Sequence, residues 1–451
     1  CDGVDNNCDG DQGADETDAD GDGLAVCEGD CDDTNIAAYL GAPGEVACDG
    51  VDTDCDGTAE LLVPSMYGSI GEAMDAAESG DHVCVSAGTY EESGLSFGGK
   101  DLRVQGVDGA AATTVSAGYG GRLFSFDGGE TGDAILEGFT LANGYEETGS
   151  AIYAPDASPT LRELVIESNW GDSAVFCSGS PSLTDVEILD NNTAGLLLQG
   201  ATATLVRVRI EGNVGDYGFG GGLHLEQADV VLDDVDIVGN SGYDGGGIYS
   251  LGGSLLLSNV VLADNDAGGL GADGGALYSE GSIIEGSNVA VRNNVSDTLG
   301  GGLAVNGGSL TLTNFELVGN VGVYGGALSV NDAATVSLWN GVAAANEASH
   351  GAGLYFGPGD DNSVDIHNVV FSDNSASGSG GAITGICNHG IHTFEHNDAW
   401  NNTPENYSVD CFDDPTGTAG NVSIDPLFLD AAADDPLDWD LHLSADSPLI
   451  D

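Results

Sequence analysis

Positive charge is scarce in this sequence: 7 Lys and Arg residues stand against 75 Asp and Glu residues, giving a formal net charge of −68 over 451 residues. Nucleic acid and anionic membrane surfaces would repel such a chain, so both are excluded as partners. Long apolar runs are also missing. None reaches the roughly 18–20 residues of a membrane-spanning helix, so the chain is predicted not to span a membrane.

Glycine is abundant, with 73 residues, and a repeat accompanies it. The segment Ser309–Asn320 (Ser-Leu-Thr-Leu-Thr-Asn-Phe-Glu-Leu-Val-Gly-Asn) recurs about every 25 residues. Its apolar residues alternate with polar ones, as in Leu310 and Leu312, which is the period of a β-strand. Each repeat closes on an asparagine: Asn169, Asn191, Asn213, Asn240, Asn265, Asn294, Asn320, Asn346 and Asn374.

The repeat length predicts how the chain winds. Three short strands and three turns use about 25 residues and return the chain to its start, one strand spacing of about 4.8 Å further on. The sequence therefore predicts an all-β solenoid, a parallel β-helix with three strands per coil. Asparagine tolerates a left-handed corner and can bond to its counterpart one coil above. We expect such corners at Asn259, Asn288, Asn314, Asn340 and Asn368.

The segment Ser69–Gly80 predicts a short amphipathic helix, because Ile70, Ala73 and Met74 share one face and Ser69 can cap its start. The strand and Gly-Thr-Tyr of Gly80–Glu91 follow it. Together they resemble the N-terminal cap of the pectate-lyase-like right-handed β-helix superfamily. The resemblance implies a right-handed solenoid over 83–403, after a linker and capping helix at 61–82. It also implies a C-terminal cap segment at 404–451.

Residues 1–60 predict a small calcium-binding module. The EF-hand pattern requires inward-facing oxygen ligands, a glycine at the sharp turn and an acid at the twelfth place. One loop matches that pattern throughout, and two more begin it without an acid at the twelfth place. The predicted Ca²⁺ ligands are Asp5, Asn7, Asp9, Asp11 and Glu16 in the first loop, Asp18, Asp20, Asp22, Leu24, Asp30, Asp32 and Asp33 in the second, and Asp52, Asp54, Asp56 and Glu60 in the third. We expect two or more ions.

Ten cysteines in an acidic chain indicate disulfides and an exported protein, secreted or at a bacterial cell surface. Close spacing predicts local disulfides among Cys1, Cys8, Cys27, Cys31, Cys48 and Cys55. We expect a further disulfide between Cys387 and Cys411. Cys84 and Cys177 either pair or stay as buried thiols.

The repeated Cys-Asp-Gly-Val-Asp segments at Cys1 and Cys48 resemble the metal-binding repeat of bacterial surface proteins of the MopE type. The resemblance covers about 60 residues. That family's copper site uses His and an oxidised Trp, and residues 1–66 contain neither. Calcium is therefore the ion we expect.

Three functions compete on this sequence. The first is a non-enzymatic, calcium-binding surface protein acting as an adhesin or matrix component, with carbohydrate or other surface proteins as partners. The second is a polysaccharide-active lyase or glycoside hydrolase, although no complete catalytic constellation is found. The third is a self-assembling filament or sheath subunit, a homo-oligomer.

Two residue groups keep further alternatives open. Aromatic residues of the long turns form either a stripe for sugar rings or packing on the next coil: Trp170, Tyr217, Phe219, Tyr243 and Tyr324. His389, His392 and His396 form either a zinc or copper site or a hydrogen-bonded end cap.

Overall fold

The computed structural model describes residues 18–21, 23–28, 30–39, 48, 55, 60–215, 220–357, 361–385, 390–409, 413–431 and 439–450. Its described strands wind into a right-handed parallel β-helix of about 13 turns, which confirms the predicted fold class. No helix in these ranges is long and apolar enough to cross a membrane.

The first strand of each coil lies at the end of the long turn, and these strands stack in parallel register. This stack is called the first sheet below. Its members are Leu95–Ser96, Phe124–Ser125, Ile152–Ala154, Trp170–Cys177, Asn192–Gln199, the first parts of Leu223–Val238 and Ile248–Ala263, then Leu277–Glu280, Leu303–Asn306, Leu328–Asn331, Leu354–Phe356, Ile383–Gly385 and Tyr407–Val409.

The second and third strands of each coil form two further stacks, and from Ser182 onward they usually join into one bent strand. The second stack begins with Glu60–Val63, His82–Val85, Arg103–Gly106, Ile135–Glu137 and Thr160–Arg162, and the third with Gly88–Glu91, Thr113–Ser116, Thr140–Ala142 and Val165–Glu167. The joined strands are Ser182–Leu189, Thr202–Glu211, the later parts of Leu223–Val238 and Ile248–Ala263, Ile283–Arg292, Ser309–Val318, Thr335–Ala344 and Ser363–Ser372, after which His392–Glu395 and Asp398–Trp400 separate again.

From the joined strand Ile248–Ala263 onward, the bend falls at the predicted corner asparagine. In the three earlier joined strands it falls at Asp185, Arg207 and Asp234, which also have positive φ. Asn259, Asn288 and Asn314 have φ of 54°, 55° and 54°, in the left-handed region. The amide of Asn288 donates to Asn259 Oδ1 at 3.0 Å, so the predicted bond between successive coils is present.

The asparagines that close the repeats form a second ladder, inside the solenoid. Asn240 Nδ2 donates to Asn265 Oδ1 at 3.1 Å, and Asn265 Nδ2 donates to Asn294 Oδ1 at 3.0 Å. The same bond recurs from Asn169 to Asn402 with lengths of 2.8–3.1 Å. Each amide also satisfies buried backbone groups, so this ladder supplies the polar partners that a buried turn requires.

The two glycines of each pair that precedes a strand of the first sheet have different structural roles. Gly300 has φ 58°, which a β-carbon would disfavour. A β-carbon on Gly301 would lie 2.3 Å from the Val321 carbonyl carbon, so the coils can approach closely only without a side chain there.

The N-terminal opening of the solenoid is covered by the helix Ile70–Ala76. Ser69 accepts a hydrogen bond from Glu72 N at 3.1 Å, and Ile70, Ala73 and Met74 are buried, as predicted. The helix ends at Ala76 rather than continuing to Gly80, because the Ala77 N–H closes the last turn and Ala77 itself is extended.

The remaining elements are small. Short parallel strands lie in the long turns, and a hairpin of Phe428–Asp430 and Asp440–Leu443 lies against the corner residues of earlier coils, around Asn314 and Asn340. The turn strands are Ser241–Gly242, Asp266–Ala267, Val295–Ser296, Glu347–His350 and Ser375–Ser379, and a 3₁₀ helix spans Val26–Glu28.

Candidate functional site

Of the predicted calcium ligands, seven lie in the described residues, namely Asp18, Asp20, Leu24, Asp30, Asp32, Asp33 and Glu60. The Asp18 carboxylate accepts bonds from Gly21 N at 2.6 Å and Gly23 N at 3.1 Å, and Ala19 N donates to Asp33 Oδ1 at 3.0 Å. The second predicted loop thus folds back so that Asp33 lies beside its first ligand. Glu60 lies apart, in the second stack beside His82.

The other predicted ligands lie outside the described residues: Asp5, Asn7, Asp9, Asp11, Glu16, Asp22, Asp52, Asp54 and Asp56. The same holds for the sulfur atoms of Cys1, Cys8, Cys27, Cys387 and Cys411.

Cys31, Cys48 and Cys55 form disulfides as predicted, but the pairing between closely spaced cysteines is wrong for them. Cys31 pairs with Cys55, and Cys48 pairs with Cys84. The first bridge joins two of the acidic segments, and the second anchors them to the solenoid strand His82–Val85. Cys177 is a buried thiol, and burial raises its pKa to about 12. Sequence spacing alone predicted the wrong pairs because cysteine connectivity depends on which segments meet in the fold.

The long turns of the first coils carry an exposed aromatic cluster, Tyr119, Tyr145 and Trp170. Their exposed fractions are 52%, 57% and 45%, well above those of ordinary core residues. Tyr119 meets Trp170 edge to face with centroids 6.5 Å apart, and Tyr145 lies beside Trp170 in parallel pairing. Exposed aromatic residues on adjacent coils form a surface on which a flat apolar ligand can pack.

The other members of the predicted stripe do not extend this cluster. Tyr243 donates its hydroxyl to Leu270 O at 2.7 Å, and Tyr324 stacks on His350 of the next coil with centroids 5.4 Å apart. Both therefore follow the alternative prediction of packing against neighbouring chain. Tyr217 and Phe219 lie outside the described residues.

The outer side of the first sheet carries a line of aromatic rings that sequence reasoning missed. Tyr249 and Tyr278 stack with centroids 5.4 Å apart and planes 9° apart, and His224 meets Tyr249 edge to face at 5.1 Å. The signal was present for five of these rings, because each directly follows the first apolar residue of its strand, and Phe176 is the exception. The line, called the aromatic face below, comprises Tyr153, Phe176, His224, Tyr249, Tyr278 and Tyr355.

Carboxylates surround the middle of the aromatic face. Burial raises the pKa of Tyr249 to about 12, and Glu280 adds to the shift. Burial likewise raises the pKa of Asp273 to about 6, against the hydrogen bond that Leu299 N donates to it at 2.9 Å. Tyr249 is therefore a neutral phenol at physiological pH and unsuited to act as a base.

All seven lysine and arginine side chains form an ion pair or a hydrogen bond within the protein. Glu137 binds both Arg103 (2.7 Å) and Arg162, and although burial opposes it, the hydrogen bonds from these two arginines hold the pKa of Glu137 below its usual value. The other partners are Asp185 for Arg207, Glu211 and Asp236 for Arg209, Glu316 for Arg292, the Met74 and Asp75 carbonyls for Lys100, and the Gly149 and Thr148 carbonyls for Arg122.

A recess of about 380 Å³ lies at the C-terminal end of the same side. Tyr324, His350 and Tyr355 form its aromatic wall, and His350 Nδ1 lies 2.9 Å from Ser379 Oγ. Ser379 Oγ is also 3.3 Å from Thr384 Oγ1. The recess therefore combines aromatic surface with hydroxyl groups, the mixture that suits a sugar.

The predicted histidine site is not assembled from the residues described. His392 packs on Phe356 with centroids 5.3 Å apart, and burial lowers its pKa. His396 occupies a left-handed corner with φ 57°, and His389 is outside the described ranges. Metal-ligand geometry in the described residues instead groups Cys48, Glu60, His82 and Cys84.

Comparison with family models agrees with the fold. Residues 173–343 match the model of the right-handed β-helix region family. Two solved structures from Azotobacter vinelandii are similar: the A-module of the mannuronan C-5 epimerase AlgE4, with 13% identity and a TM-score of 0.40, and that of AlgE6, with 14% and 0.28. Each comparison covers 79% of this chain and 94% of the other. No curated protein sequence matches the chain significantly.

Proposed function

We propose that this protein is a non-enzymatic, calcium-stabilised extracellular β-helix that binds a neutral polysaccharide, as an adhesin or matrix component. The polysaccharide would lie along the side that carries the cluster of Tyr119, Tyr145 and Trp170 and the aromatic face, called the aromatic side below. The single observation that carries the choice of ligand is the engagement of all seven basic side chains by carboxylates or carbonyls. In the described residues a polyanion would find no lysine or arginine without such a partner, and the large negative charge of the chain would repel it.

The aromatic side supports carbohydrate as the ligand class. The cluster of Tyr119, Tyr145 and Trp170 presents exposed rings to the C–H faces of a sugar. These groups lie on successive coils, so an extended chain laid along the solenoid meets several of them. A repeating polymer gains from such repeated weak contacts because each additional contact adds effective concentration.

The calcium part of the proposal rests on the acidic segments before Glu60. The fold-back that places Asp33 beside Asp18 supports a closed second loop, and oxygen ligands of this kind suit Ca²⁺. The resemblance to the MopE-type repeat supports the same assignment. Extracellular sites bind with dissociation constants of roughly 0.1–1 mM, so the calcium outside a cell would load them.

Binding is tested by titrating the full chain, with calcium present, against a neutral glucan, a neutral mannan and a polyuronate, with isothermal calorimetry as the readout. We expect saturable binding of a neutral polymer and none of the polyuronate. Trp170→Ala should weaken binding by about tenfold, the loss of about 1.4 kcal/mol that one stacked aromatic supplies. Trp339→Ala is the matched control, because Trp339 is 36% exposed but stacks on His367 away from the first sheet.

Equal weakening by both tryptophan variants, or preferential binding of the polyuronate, would contradict the proposal. A polysaccharide-active enzyme is the second candidate, favoured by the raised pKa of Asp273, near 6, beside the aromatic face. Release of reducing ends or of an unsaturated product during the same titration would establish that enzyme instead.

A further inference from the structure

Four side chains with metal-binding atoms meet where the acidic segments join the solenoid. Glu60 and His82 are directly paired on adjacent strands of the second stack. Cys84 follows His82 by two positions, so both side chains leave the same, outward side of their strand. Cys48 reaches this group from the acidic segments.

The ligand atoms of these four residues all lie within 4.8 Å of one another. Cys48 Sγ is 3.6 Å from His82 Nε2, and the Glu60 carboxylate accepts a hydrogen bond from Cys48 N. Cys48 and Cys84 are joined as a disulfide in this structure, and its reduction would supply two thiolates. Two thiolates, an imidazole and a carboxylate are a tetrahedral Zn²⁺ ligand set, whereas calcium takes oxygen ligands only. The group therefore differs in chemistry from the predicted calcium loops.

We propose that Cys48, Glu60, His82 and Cys84 form a redox-controlled zinc site, closed while Cys48 and Cys84 are joined as a disulfide and opened by its reduction. The strand pairing of Glu60 with His82 holds two of the ligands in place in both states. Cys48 is linked to Cys84 by a covalent bond in the disulfide state and through the metal in the zinc-bound state. In both of these states the acidic segments stay joined to the solenoid.

The reaction balances with a thiol or phosphine reductant. Two thiols supply two electrons and two protons, the Sγ–Sγ bond breaks, and two cysteine thiols and one external disulfide form. Binding of Zn²⁺ then releases the two thiol protons, because the thiolate is the ligand. With a phosphine, one water is consumed and the phosphine oxide is the product.

The test uses the full chain with and without a phosphine reductant, measuring zinc affinity by competition with a chromophoric chelator. Cobalt substitution gives a second readout through the thiolate-to-cobalt charge-transfer band and the tetrahedral d–d bands. We expect the reduced chain to bind the ion at least about tenfold more tightly than the oxidised chain. His82→Ala, which removes no thiol, should lower the affinity of the reduced chain by about tenfold or more.

His442→Ala is the matched control, because His442 is exposed and far along the sequence, where it contacts Asp440. It should leave zinc affinity and the cobalt spectrum unchanged. Equal zinc affinity in the reduced wild type and His82→Ala would overturn the site and assign the binding to other thiols. If circular dichroism shows that His82→Ala has lost the β-helix, Glu60→Gln decides, and unchanged zinc affinity and an unchanged cobalt spectrum in that variant would overturn the proposal.

Discussion

The acidic N-terminal region and the solenoid are each stabilised by different interactions. In the described residues before Glu60, the buried apolar side chains are Ala25 and Ala38. From Leu61 onward, one continuous core runs through the coils, and the buried asparagine ladder runs beside it. The solenoid is thus stabilised by repetition, each coil covering the next. The N-terminal region depends on its disulfides and, on our proposal, on calcium.

Breaking the inner asparagine ladder should cost the most. Asn265→Ala removes the acceptor for Asn240 N and Nδ2 and the donor for Ile237 O, all buried. Leaving these groups without partners should lower the free energy of unfolding by about 3 kcal/mol or more, measured by urea denaturation.

Asn288→Gly is the control for that variant. Asn288 is an exposed corner with φ 55°, which glycine adopts freely, so the loss should stay below about 1 kcal/mol. Equal losses in the two variants would show that burial of the ladder is unimportant.

Removing the bridge between the acidic segments should affect one region only. Cys31→Ser combined with Cys55→Ser opens a loop with a sequence separation of 24, worth about 3 kcal/mol of local stability. Limited proteolysis should then cut faster before Glu60, while the thermal unfolding of the solenoid stays the same. Equal destabilisation of both regions would mean that they fold as one unit.

Neutralising the carboxyl near the aromatic face should have the smallest effect. The pKa of Asp273 is raised to about 6 by burial, so its charged form is disfavoured in the folded state. Its contribution to stability therefore falls as pH rises from the ordinary aspartate pKa, near 4, to about 6. Asp273→Asn should raise Tm at pH 7 by about 1–2 °C and leave it unchanged at pH 4, by differential scanning calorimetry.

The fold could be predicted because its determinants are local and repeated. Alternation around Leu310 and Leu312 marks the strands, and the corner at Asn288 follows from one residue's tolerance of positive φ. The closing asparagines were recognised as a repeat, but their bonding was not predicted. Their amides find partners in other coils, such as Ile237 O for Asn265, and that requires the coil geometry.

The site was predicted less well because it depends on which coils and segments meet. Trp170 was foreseen as a candidate for sugar binding, whereas the stacking of Tyr249 on Tyr278 follows from the register between strands 29 residues apart. The pairing of Cys48 with Cys84 likewise joins two regions that spacing treated as independent.

The central claim is that calcium stabilises the N-terminal region and that repetition stabilises the solenoid. Its most direct test is hydrogen–deuterium exchange by mass spectrometry on the full chain, first with calcium and then with a chelator. We predict that chelation removes amide protection in residues 1–60 and leaves the solenoid strands from Leu61 to Trp400 protected. Protection before Glu60 that is unchanged by the chelator would contradict the role of calcium. Loss of protection throughout the coils would contradict the separate stability of the solenoid.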